Sequence, residues 1–245
     1  MTTSTPNIDP SIFTTLQTKI DEESAIRDSL RAIIDDLSKQ SRVITSHLSR
    51  IHNTPTPLLP DQILSPCAAL LQQQSLTVQA LASTASAYPF YKYNSLWSHQ
   101  IQSILSTLQL HEWLSSTRLL TLEDLGTFLN VPVNVKPPEK DTFHITIEEY
   151  LLALTSTIEE LARLAPNAVT MGDYARPLQI SRFIKDVHAG FQLLNLKNDN
   201  LRRRSDGVKY SVKKVEDVVY DLSLRGLVPK DGDEGGAAAG GAASG

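Results

Sequence analysis

No glycine or proline falls between Ser11 and Asn53, and apolar residues recur through that stretch at helical spacing: Ile12, Leu16, Ile20, Ile26, Leu30, Ile33, Leu37, Ile44, Leu48. An uninterrupted 3.6-residue period of this length predicts one long amphipathic helix and excludes a sheet fold at this end of the chain. Asp9-Pro10 supplies its start, an N-cap residue followed by proline at the first helical position. The rest of the chain follows suit. Thr54 to Pro60 is a breaker-rich loop, and a second helix is expected over 61–87, dented by Pro66. Tyr88-Pro89 interrupts, and a third helix should run to about Thr117. Thr121 with Asp124 caps a short helix ending near Asn130. Thr146 with Glu149 forms a capping box for a helix expected to stop at about Ala165, before Pro166. Pro177 opens a helix ending near Asn195, and Asn198 or Asp199 caps the last one, which should reach Arg225. No stretch shows sustained strand alternation, so the expected class is all-α.

The last helix carries two patterns at once. Leu201, Val208, Val215 and Leu222 recur every seven residues, and Val212 and Val219 form a second register. This seam is suited to packing between helices or between subunits. Gly207 argues for a break, but the seam passes through it without slipping, so one helix is expected. Beside the seam runs a basic strip: Arg202, Arg203 and Arg204, then Lys209, Lys213 and Lys214. Arg202, Lys209 and Lys213 share one face. Asp199, Asp206, Glu216 and Asp217 dilute it, so a solvated face and a polyanion surface both stay open.

The formal net charge of −4 is not that of a typical nucleic-acid module, yet 13 of the 23 Lys and Arg lie from Arg163 onward. Any phosphate-binding capacity must therefore be local. Lys92, within the aromatic cluster Tyr88, Phe90, Tyr91, Tyr93 and Trp97, is a second candidate. Cations among aromatics can hold single strands, although such a cluster also closes a helix corner. One cysteine, Cys67, allows no intrachain disulfide or thiolate cluster. No two histidines stand at metal-ligand spacing. Of the paired acids, Glu123/Asp124 and Glu148/Glu149 suit first helical turns, and Asp35/Asp36 and Glu159/Glu160 read as solvated faces. No bound cofactor or metal is expected. No apolar run is long enough to span a membrane, and the N-terminus lacks the pattern of a secretory signal. The expected location is cytoplasmic and nuclear. Residues 1–7 and the Gly/Ala-rich 229–245 are expected to be disordered around a single domain, 8–228.

Several runs carry a resemblance: FHITIEEYL, NAVTMGDYARPLQIS, GFQLLNLKNDNLRRR and KYSVKKVEDVVYDLSLRG, with YPFYKYNSLW further upstream. Over residues 8–228 the chain resembles the translin family, and translin more than its paralogue, translin-associated factor X. The resemblance implies a bundle of about seven helices assembling into a hollow octamer, binding to single-stranded DNA and RNA, and partnership with translin-associated factor X in an endoribonuclease complex for small-RNA or tRNA processing. In that complex the associated factor supplies the catalytic carboxylates and holds the Mg²⁺. The positions here that align with those carboxylates are Ser103, Ser106, Ala175 and Gln179. None can ligate as a carboxylate, so the resemblance implies a non-catalytic subunit. Candidate phosphate contacts are Lys92, Arg202, Arg203, Lys209 and Lys213. The chain also departs from the family. Asn94, Leu96 and Ser98 occupy positions that are basic or histidine in animal relatives, and no Lys or Arg lies between Arg50 and Lys92. A scaffold that has lost most nucleic-acid binding, and a metal-dependent ribonuclease acting alone, are the alternatives.

Overall fold

The computed structural model describes residues 9–133 and 141–228. The two segments expected to be disordered, 1–7 and 229–245, and part of the proline-rich loop lie outside the described residues. Eight α-helices account for the fold: α1 (Pro10–Leu48), α2 (Ser65–Ala85), α3 (Phe90–Tyr93), α4 (Ser98–Ser116), α5 (Leu122–Leu129), α6 (Ile147–Thr170), α7 (Arg176–Gln192) and α8 (Asp199–Leu224). The only β pairing among the described residues is one isolated bridge, Val133 to Ile145. The all-α expectation holds. The chain divides into two compact units, each assembled from discontinuous segments, and it passes between them at the end of α1, inside α2, α4 and α6, and in the connector before α5.

In the first unit, Leu30, Leu37 and Ile44 are buried at seven-residue spacing on α1. They share the core with Cys67, Leu71, Val78 and Leu81 of α2 and with Ile101, Ile104 and Leu105 of α4. One hydroxyl organises the polar part of this core. Ser41 Oγ accepts from Gln74 Nε2 at 2.8 Å and from Gln100 Nε2 at 2.6 Å, so α1, α2 and α4 meet at one atom. The α5 box is formed as expected: Thr121 Oγ1 accepts from the Asp124 amide, and Asp124 accepts from the Thr121 amide. At Gly126 a Cβ would stand 2.6 Å from Val133 Cγ1, so the glycine is required by close approach.

The α6 box is also formed, and it is buried. Glu149 is 3% exposed and accepts from the Thr146 amide at 3.0 Å, while the Glu149 amide donates to Thr146 Oγ1 at 3.1 Å. Burial pushes the Glu149 carboxyl up, against the opposing pull of Thr146, Ser98 and His144.

The second unit is built on α6, α7 and α8 with the segment after α1 and the end of α4. Its core holds Ile51, Ile63, Trp113, Ile158, Leu161, Ile180 and Ile184. The α8 seam is buried: Leu201 5%, Val208 2%, Val215 0% and Leu222 1% exposed. Val212 and Val219 are half-buried. The seam packs on α7, and an ion pair at 2.8 Å from Lys185 to Glu216 spans the two helices. The seam therefore serves packing between helices within the chain. α8 is continuous through Gly207, and Asn198 caps it by accepting from the amides of Asn200 and Leu201.

Several boundaries differ from the sequence reading, the second helix among them, which spans Ser65–Ala85. The helix expected to stop at Ala165 continues to Thr170 with Pro166 inside it. Proline forfeits one backbone hydrogen bond, but Ala165 and Ala168 are buried at 0% and 1% on either side, and that packing holds the helix. The third helix is split, with a 3-10 turn at Asn94–Leu96 before α4. Tyr93 and Trp97, both buried, flank the turn with φ near −120° and −110°. Burying both rings takes precedence over helical continuity. The first helix ends at Leu48 and passes directly into a 3-10 turn over Ser49–His52.

Candidate nucleic-acid interface

Arg202 and Lys209 lie seven residues apart on α8, on a face that turns away from the buried seam. Both line a cleft of about 580 Å³ between the start of α8 and the end of α7 with its connector. His188, Gln192 and Asn195 bring polar groups to the same cleft, Ser205 and Asp206 complete its α8 wall, and Phe191 lies at its base. A groove with two cations, one carboxylate, and neutral donors and acceptors can neutralise phosphate and offer hydrogen-bond partners to a base. Lys213 continues the same face one turn on, exposed, outside the cleft lining. Arg203 is exposed and also outside it. Arg204 is engaged elsewhere: its guanidinium donates to Ser156 Oγ at 3.2 Å and pairs with Glu159 at 3.6 Å.

Two exposed aromatics accompany the strip, Tyr210 at 69% and Tyr220 at 65% exposure. Lys209 Nζ sits 5.1 Å from the Tyr210 ring centre. The sequence reading passed over these tyrosines. Their signal was the position of Tyr220 eleven residues beyond Lys209, three helical turns along the same face.

Lys92 belongs to the other unit. Its Nζ is 2.9 Å from Glu23 Oε2 and 5.4 Å from the Tyr93 ring centre. The hydrogen bond to Glu23 raises the Lys92 pKa. Arg27 pairs with the same glutamate at 2.8 Å. Lys92 thus starts with its charge answered, and a phosphate contact there requires an exchange of partners. Of the surrounding aromatics, Phe90, Tyr93 and Trp97 are at most 2% exposed and Phe90 stacks on His144 at 4.2 Å. Tyr91, 67% exposed, faces solvent, and Tyr88 is half-buried. The cluster closes a helix corner.

Two acidic side chains have structural duties. Glu160 is not a solvated face: Oε1 lies 2.7 Å from His52 Nε2, and Asn167 Nδ2 lies 2.9 Å from His52 Nδ1. Asp173 in the Gly172-Asp173 turn accepts from the Arg176 amide at 3.0 Å and from Thr56 Oγ1. Arg176 is itself buried, with its guanidinium 5.6 Å from the Trp113 ring centre. Among the described residues no group of three or more His, Cys, Asp or Glu side chains is placed to hold a metal ion, and no helix is long and apolar enough to cross a membrane.

These features define a class: an all-α protein whose last helix buries one heptad stripe and presents a basic, aromatic face beside it. The translin family model matches residues 25–226, and the chain belongs to that family. It is 36% identical over 220 residues to translin of Mus musculus, covering 88% of this chain and 93% of that one. To translin-associated protein X of Mus musculus the identity is 21% over 234 residues, covering 89% and 80%. The fold matches that of apo-NeC3PO with a TM-score of 0.63 at 14% identity, and that of an AfC3PO–duplex RNA complex with a TM-score of 0.62 at 12% identity; each match covers 88% of this chain and 98% of that chain.

Proposed function

We propose that this chain is a nucleic-acid-binding, non-catalytic subunit of a translin-type oligomer, a hollow octamer, which works with a translin-associated factor X partner in an endoribonuclease complex for small-RNA or tRNA processing. Family membership supports the assembly, and the weaker similarity to translin-associated protein X supports the assignment to the translin side. One structural neighbour is a complex with duplex RNA. The observation that carries the binding role is the α8 cleft with Arg202 and Lys209 on its walls. Lys213 and Arg203 extend the basic surface, and Lys92 contributes only after leaving Glu23. The serines at 103 and 106, with Ala175 and Gln179, leave the catalytic carboxylates and their Mg²⁺ to the partner. The complex operates in cytoplasm and nucleus.

The test is the salt dependence of binding to a fluorescent single-stranded RNA. Each phosphate contact on a single strand contributes a slope of about −0.7 to log K against log salt. Changing Arg202 and Lys209 together to glutamine should flatten that slope by about 1.4 and weaken binding. An unchanged slope would remove the cleft from the interface. A flat titration of the parent protein at low salt would instead favour a scaffold that only organises its partner. Cleavage of the RNA by the purified chain with Mg²⁺, abolished by changing one glutamate, would make it a nuclease in its own right.

A further inference from the structure

We propose that Ser205 is a phosphoacceptor for an arginine-directed protein kinase, and that its phosphate occupies the cations of the α8 cleft. The inference rests on the reading of that cleft as a nucleic-acid site. Ser205 follows the run Arg202-Arg203-Arg204, which places arginines two and three residues before the hydroxyl. Kinases that select such serines do so with carboxylates, because a guanidinium pairs with a carboxylate through two parallel hydrogen bonds. Arg202 and Arg203 are exposed and open to such pairing, whereas Arg204 is turned to Ser156 and Glu159. Ser205 itself is half-buried in the cleft wall.

The helix sets what the phosphate would meet. Arg202 stands three residues before Ser205 and Lys209 four after it, the two spacings that bring side chains together on a helix surface. Both line the cleft with Ser205. A phosphoserine carries roughly −1.5 to −2 charges at neutral pH. Added to two cations and Asp206, it turns the local balance from positive to negative. The groups that would neutralise a strand's phosphate are then already neutralised. In the transfer, the Ser205 Oγ attacks the γ-phosphorus of ATP. The bond from that phosphorus to the bridging oxygen breaks, the hydroxyl proton passes to the kinase's base, and ADP leaves. A kinase requires an extended acceptor, so the first two turns of α8 must open. Leu201 is the one buried apolar side chain there, and the Asn198 cap and the Arg204 contacts are the polar ties. Loosely held helix ends of this kind open most readily.

The full chain is incubated with ATP and the catalytic subunit of cAMP-dependent protein kinase, and the modified position is mapped by mass spectrometry. Label should appear on Ser205, be absent from Ser205→Ala and fall sharply in Arg203→Gln. The modified protein should bind the fluorescent single-stranded RNA about tenfold more weakly at low salt than it does before modification, while treating Ser205→Ala with kinase and ATP should leave that variant's own affinity where it was. A phosphorus NMR titration gives a readout independent of RNA. The phosphoserine should titrate below its ordinary second pKa of about 6, and changing Arg202 and Lys209 to glutamine should restore the ordinary value. No label on Ser205, or a phosphate that titrates normally in the parent, overturns the proposal. Failure of the unmodified protein to bind RNA counts against the cleft's assigned role, while the label and the titration still decide whether Ser205 accepts phosphate and where the phosphate lies.

Discussion

Gly207 is the one glycine inside α8, and replacing it by alanine makes the helix a quantitative test of the structure. Glycine in a helix interior is about 1 kcal/mol less favourable than alanine. Part of that difference is the wider freedom of glycine in the unfolded chain. Whether the gain is realised depends on space. A Cβ at Gly207 meets nothing within 4 Å, and the backbone there is not in the left-handed region. No steric loss therefore offsets the gain, and Gly207→Ala should stabilise the protein by about 0.5–1 kcal/mol. For a chain of this size that amounts to a rise in Tm of roughly 1–4 °C. Urea unfolding followed by circular dichroism should show a higher midpoint with an unchanged slope. Single-stranded RNA affinity should not move, since position 207 is not in the cleft lining. A lower midpoint would refute the reasoning: it would mean that α8 breaks or bends at Gly207 and that the glycine is needed for it.

Two other sites give tests of different kinds. Burial raises the Glu149 pKa, so the folded state holds this proton more tightly than the unfolded chain. Stability from this group is full below the ordinary glutamate value of about 4.3 and is lost as pH rises through the folded value. Glu149→Gln, which keeps an acceptor for the Thr146 amide, should flatten that part of the stability–pH curve; an identical curve would place the titration elsewhere. Ser41→Ala leaves the buried Gln74 amide and the half-buried Gln100 amide without their shared acceptor. An unsatisfied buried group costs about 1–3 kcal/mol, so calorimetry should show a clear fall in Tm; a change within error would mean that water takes the place of the hydroxyl.

What the sequence disclosed follows from the range of the forces involved. The Thr121/Asp124 and Thr146/Glu149 boxes are contacts between residues three apart, and both were readable and present. The heptad Leu201, Val208, Val215, Leu222 was readable because burial follows helical period. Pro166 misled because a local cost was overridden by packing of Ala165 and Ala168, which no neighbouring residue reports. The split between Tyr93 and Trp97 has the same origin. The candidate site was half legible. Arg202 and Lys209 announce themselves by spacing, but His188, Gln192 and Asn195 reach the cleft from α7 and its connector, and the Glu23 that occupies Lys92 lies on another helix. Long-range pairing of this kind leaves no periodic mark.

The buried stripe of α8 also limits how the gene can change in length. Each residue advances a helix by about 100°, and seven return it to within about 20° of its starting direction. A deletion of one residue between Lys209 and Val215 would keep Arg202 and Lys209 in the cleft. It would, however, swing Val215 and Leu222 away from the core and turn Glu216 and Ser223 toward it. Loss or gain of seven would leave both faces aligned. Variation in length within this helix should therefore come in whole heptads, and the connector at 193–198 is where single-residue changes can be absorbed.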